Sequence, residues 1–180
     1  MKISRLTLLL AVVLSGCFSP SPGGIQGVWQ SQQDFDAPST FVTETIEFVF
    51  NGNEVVRILE QDIRSKQTGS SVVLRSKQKG VFNVSPDVPP SSSSRMSVTN
   101  IEDIEYPSDS AFSIAGAILG NTAIDQQIFF GDTINSTFKS RALFARDADG
   151  LRIKFSSGDF PVTLAPPFLI ELRKVFRLFP

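Results

Sequence analysis

The sequence predicts a mainly β domain, an antiparallel up-and-down barrel of about eight strands with one short helix; a β-sandwich is the alternative. Three observations predict it. Apolar and polar residues alternate with period two through much of the chain after residue 25, as in 43–50 (TETIEFVF), the pattern of strands with one buried face. Asn51-Gly52 separates that run from a second β-rich run at 54–64, and such a pair is the strongest short-range hairpin signal. One segment, around Phe112, Ala115, Ile118 and Leu119, breaks the pattern with the three- and four-residue spacing of a helix; Val55, Ile58 and Leu59 in 54–64 share that spacing, but the adjoining turn favours a strand there.

The first sixteen residues stand apart from this pattern. Lys2 and Arg5 give a positive start, and residues 6–14 (LTLLLAVVL) form an apolar run. That run falls far short of the roughly 20 residues a membrane span needs. A positive start, a short apolar core and small residues are the marks of a cleavable secretory signal. Leu14-Ser15-Gly16-Cys17 resembles the lipobox of bacterial lipoproteins. The resemblance implies cleavage before Cys17 and acyl chains, such as palmitate, on that cysteine. The expected partner is therefore a membrane, held through Cys17, with a bacterial cell-envelope location. Phe18 in place of aspartate after the cysteine resembles outer-membrane sorting, so the outer membrane is expected over the inner.

The expected organisation is signal peptide 1–16, lipidated cysteine and flexible tether 17–24, and β-domain 25–180. Residues 18–24 (FSPSPGG) read as the tether because proline, glycine and serine disfavour a packed element. Cleavage would leave 164 of the 180 residues, with 15 of the 17 basic residues against 18 acidic ones, a net charge of −3. That length suffices for one substantial core. No segment is strongly basic, so nucleic acid is not an expected partner. With the single cysteine assigned to lipid, the fold rests on burial and hydrogen bonding, and 16 phenylalanines predict a phenylalanine-rich core.

Each further element follows from local pattern. Asn51-Gly52 is expected to form a type I′ turn between 43–50 and 54–64. Segments 71–75 and 80–84 read as paired strands, with Lys77-Gln78-Lys79 as a solvated turn or exposed strand. Residues 86–94 (PDVPPSSSS) are a loop by composition, and alternation returns at 96–104. Ser108 or Asp109 caps the helix and Gly120 closes it. Segments 138–145, 151–155 and 168–175 complete the strands, with Asp149-Gly150 turning between the first two.

Gly27-Val28-Trp29, at the start of the first expected strand, resembles the Gly-x-Trp signature of lipocalins and lipocalin-like bacterial domains. The resemblance implies that Trp29 plugs the closed end of an eight-stranded barrel. It also implies that a basic residue of the last strand packs over the indole, with Arg173 first choice and Lys174 second. The expected barrel-closing residues are Gly27, Trp29 and Arg173. The helix between strands departs from the lipocalin pattern, where the main helix follows the eighth strand.

Little catalytic chemistry is present. The chain has no histidine, so histidine-based nucleophilic sites and His/Cys zinc sites are excluded. Glu44, Glu47, Glu102, Asp103 and Glu105 read as solvated faces and ends of strands, and a catalytic role is not expected. Asp147-Ala148-Asp149-Gly150 opens like a calcium loop, but Arg152 and Gly158 stand where that loop needs glycine and glutamate; a hairpin turn explains it. No metal or cofactor is expected. Phe48, Phe82, Phe129, Phe144 and Phe155 are the expected ligand-facing residues. They would line an apolar cavity for a small hydrophobic molecule, or else fill the interior. The functional expectation is a membrane-anchored, ligand-binding barrel; the alternative is an interaction module with a solid core. The sequence sets no oligomeric state.

Overall fold

A computed structural model describes residues 22–86, 93–120, 141–147, 150–156 and 169–176, with positions 159, 161 and 163. The strands are β1 (Gly27–Asp36), β2 (Thr40–Asn51), β3 (Glu54–Ser65), β4 (Ser71–Pro86), β5 (Ser94–Glu105), β6 (Arg141–Arg146), β7 (Gly150–Ser156) and β8 (Ile170–Val175). One helix, α1 (Asp109–Leu119), lies between β5 and β6. Each strand pairs antiparallel with the next, and β8 pairs with β1, so the sheet closes into an eight-stranded barrel. This is the up-and-down barrel the alternation predicts, and it is consistent with the lipocalin-like fold that the Gly-x-Trp resemblance implies. A sandwich is ruled out by the β1–β8 pairing, which leaves no open edge there.

Period-two alternation decides what faces inward. Ile46, Phe48 and Phe50 of β2 stand opposite Leu59, Arg57 and Val55 of β3, and all six are buried. The outward face carries Glu60, Asp62, Arg75, Lys77 and Lys79, with ion pairs such as Lys79–Glu102 at 3.0 Å. An apolar lumen within a charged exterior is the reverse of a barrel that crosses a bilayer with its strands.

Several elements differ in detail from the sequence expectations. The β2–β3 turn is centred on Gly52-Asn53, because Asn51 still pairs with Glu54. Only Gly52 has positive φ there, at 61°, the type II′ pattern rather than I′. Residues 71–86 form one continuous strand instead of two joined by a turn. Lys77 and Lys79 point outward while Gln78 faces in and is buried. Residues 22–24, within the segment expected as tether, carry regular structure. Pro22–Ile25 forms a 3-10 turn whose Ile25 is buried and whose carbonyl accepts the Trp29 Nε1 hydrogen at 2.8 Å. Proline, with φ already near the helical value, suits the first position of such a turn.

Gly80 marks a close approach of β4 to β5. A Cβ there would lie 2.6 Å from Val98 Cγ1 and 3.2 Å from the Thr99 carbonyl. The β4–β5 register shifts beside it, and Asn100 takes φ 51°. A side-chain-free position lets the bulged strand cross close to its neighbour, which turns the sheet toward closure.

The interior divides into two apolar clusters. The larger surrounds Trp29 and includes Phe48, Phe50, Phe82, Met96, Phe144 and Ile153. The smaller holds Val42, Ile63 and Leu74 against Ala115 and Leu119 of α1. Val42 faces Ile63, and Gln61 faces Leu74; these positions lie toward the barrel end opposite the β2–β3 turn. The helix therefore packs on inward-facing side chains across the mouth. Ser108 Oγ accepts from the Ala111 amide at 3.2 Å, and Gly120 at φ 68° ends the helix, as the cap residues predict.

Candidate functional site

The closed end is built around the one tryptophan. Trp29 has no exposed surface, and its register partners are Phe48 on β2 and Lys174 on β8. Gly27 takes φ 112°, where a Cβ would meet Lys174 Cε at 3.5 Å. Glycine is the residue that adopts such a φ without strain. Gln26 fastens the adjacent turn through two hydrogen bonds of 2.8 Å to the Gly52 backbone.

The cation over the indole is Lys174, not Arg173. Lys174 Nζ lies 5.7 Å from the ring centroid, and Arg146 approaches at 5.9 Å. Arg173 pairs with Gln30 and is exposed. The reason is strand parity. Leu172 faces the core, so Lys174 shares its side, and a one-residue slip sends a side chain to the opposite face.

Four of the five expected ligand-facing phenylalanines meet in one cluster: Phe48, Phe82 and Phe144 are buried, and Phe155 packs against them. Phe129 lies outside the described residues. Phe48 stacks on Phe155 at 5.8 Å and on Phe50 at 6.2 Å, and Phe50 meets Phe82 edge-on at 5.2 Å. These rings pack on one another, face to face or edge to face, within the buried cluster around Trp29.

Buried polar side chains stand at two levels of the lumen, Arg57 and Gln78 level in register with Phe48, and Glu44 and Gln61 nearer the mouth. Inward positions of β2, β3 and β4 carry Glu44, Arg57, Gln61, Ser76 and Gln78, all buried. Arg57 Nη1 donates to Gln78 Oε1 at 3.2 Å, and Gln78 Nε2 donates to Asp103 Oδ1 at 2.7 Å. Gln61 Nε2 donates to Glu44 Oε2 at 2.6 Å. Burial lowers the Arg57 pKa to about 10, with the Glu44 charge opposing the shift; the guanidinium stays cationic at neutral pH. Gln61 is 1% exposed, and its Oε1 accepts no hydrogen bond among the described residues. The amide cannot be turned to relieve this, because Oε1 would then face Glu44 Oε2 acceptor to acceptor.

Comparison with protein-family models, with curated proteins and with solved structures finds no match to this chain. The site is therefore read from its own chemistry. Among the described residues no group of His, Cys, Asp and Glu could hold a metal ion. No described helix is long and apolar enough to cross a membrane. Cys17 lies outside the described residues.

Glu44, expected on a solvated strand face, instead shares the inward side of Ile46, Phe48 and Phe50 and is buried, and Glu47 on the other face is also buried. A signal was present: in 54–64, alternation places Arg57 and Gln61 on the side of Val55, Leu59 and Ile63.

Proposed function

We propose that this chain is an acyl-anchored envelope protein that takes a small, mainly hydrophobic molecule into the mouth-side half of its barrel, beneath α1. The signal-like N-terminus and the lipobox resemblance at Cys17 support the anchor. The barrel supports a lumenal site. Outer-membrane placement follows from Phe18. The reading includes no catalytic step, since the chain carries no histidine and its one cysteine serves the anchor.

One observation carries the ligand: a set of buried polar side chains inside an otherwise apolar lumen, Glu44 and Gln61 toward the mouth with Arg57 and Gln78 below them. A scaffold alone has no use for it. Desolvating a cation is costly, and packed apolar residues stabilise as well or better. Departures from local folding rules of this kind concentrate at functional sites, and a few polar groups in an apolar enclosure are what fix a ligand's orientation.

A second reading, an interaction module with a solid core, is favoured by the mutual stacking of Phe48, Phe50, Phe82 and Phe155. Exposed Ile101, Ile104 and Tyr106 along and just beyond β5 would then face a partner. Mass spectrometry of the full chain purified from membranes in mild detergent separates the two. The binding reading expects an N-terminal peptide beginning at acylated Cys17 and one recurrent small molecule near one-to-one stoichiometry. An unprocessed N-terminus removes the anchor, and an extract matching bulk lipid removes the ligand.

A further inference from the structure

We propose that the polar layer receives a neutral hydrogen-bond donor, an alcohol or amide head group on a long apolar chain, with Gln61 Oε1 as its acceptor. This deepens the binding reading above and rests on it. The assignment turns on what the layer lacks and what it already balances.

Gln61 Oε1 is a buried acceptor with no donor among the described residues, while its amide nitrogen is committed to Glu44 Oε2. An unmet buried acceptor is destabilising, and a group that supplies a hydrogen removes that cost on binding. A carboxylate or phosphodiester offers only lone pairs. It would meet Gln61 Oε1 and the Glu44 carboxylate as a third acceptor.

The charges lead to the same class. Arg57 is the one buried cation among the described residues. Glu44 acts on it through its charge, and Asp103 reaches it through Gln78. The cation is thus already opposed, and an incoming anion would gain little from it. A neutral head group leaves this balance untouched. Apolar side chains flank the Glu44–Gln61 pair on both sides, Ile46 and Leu59 below and Val42, Ile63 and Leu74 above, and they suit a hydrocarbon chain. Ala115 and Leu119 lie against the upper set, so a ligand reaches Gln61 by displacing α1.

The test uses the full chain in membranes, photolabelled with a diazirine-bearing oleyl alcohol and competed with oleyl alcohol or oleate at pH 8. The alcohol is expected to compete at about tenfold lower concentration than oleate, the ratio one buried hydrogen bond produces. Gln61→Met should bring the two competitors together. Glu44→Gln, which keeps the shape and removes the charge opposing Arg57, should move the ratio toward oleate by about tenfold. Oleate competing as well as the alcohol against the wild-type chain overturns the head-group class and leaves the binding reading standing. Undiminished selectivity in Gln61→Met overturns the role of Gln61. Should that variant fail to fold, an unchanged ratio in Glu44→Gln overturns the charge argument. Absence of saturable labelling removes both the inference and the binding reading.

Discussion

Lys174 Nζ lies 5.7 Å from the centroid of the Trp29 ring, and the two residues face each other in the β1–β8 register. The pair sits on the seam that closes the barrel, so its strength reports on closure. Lys174→Ala should lower the unfolding free energy by about 0.5–1 kcal/mol. Arg173→Ala, on the exposed side of the same strand, should stay within about 0.5 kcal/mol of the parent. Urea titrations of the two variants check this; equal losses would contradict the parity of β8.

Gly80→Ala tests the close approach of β4 and β5. The added Cβ would fall 2.6 Å from Val98 Cγ1, and Val98 is itself buried with no flexible end to move. A loss of about 1–3 kcal/mol is expected, read from the same titrations. A neutral outcome would mean that β4 and β5 can separate at the bulge without cost.

Arg57 gives the chain a pH signature. Its folded pKa of about 10 lies well below the value in the unfolded chain, so between these limits the unfolded chain binds more protons. The cost of burying the cation is complete below about pH 10 and fades as pH rises toward the unfolded value. Relative to Arg57→Met, the wild-type chain should therefore gain about 1 kcal/mol of stability between pH 9 and pH 11. A constant difference over that interval would show that the guanidinium is hydrated.

The helix over the mouth should open on its own. Leu119→Ala removes a buried contact with the Val42, Ile63 and Leu74 cluster, worth about 2 kcal/mol or more. Amide exchange in α1 should then accelerate at least tenfold while β2 and β3 amides keep their rates. Equal acceleration throughout would make α1 part of the barrel's cooperative unit rather than a cover.

What the sequence reveals about this molecule follows the range of the forces involved. Short-range signals are legible. The period-two alternation of 43–50, the glycine at the β2–β3 turn, and Ser108 and Gly120 at the helix ends all act within a few residues, and the structure uses each of them. The choice between Lys174 and Arg173 depends on the register of β8 against β1, a pairing across more than a hundred residues of chain, and no local pattern fixes it. Gln78 was hidden because the lysines on either side disguise an inward position as a solvated turn. Arg57 and Gln61 break the apolar rule of the face they occupy, so a rule that reads apolar residues as inward overlooks the two side chains on which the candidate site depends.

The claim that a small amphipathic molecule is held inside the barrel is tested most directly by mapping where a diazirine-bearing oleyl alcohol attaches when the membrane-held full chain is irradiated. Adducts on inward positions beneath α1, among them Val42, Gln61, Ile63 and Leu74, or on the buried Leu119 of α1 that faces them, are the predicted result. Adducts confined to outward residues such as Val73, Ile101, Ile104 and Tyr106 would contradict it and leave the barrel a solid interaction module.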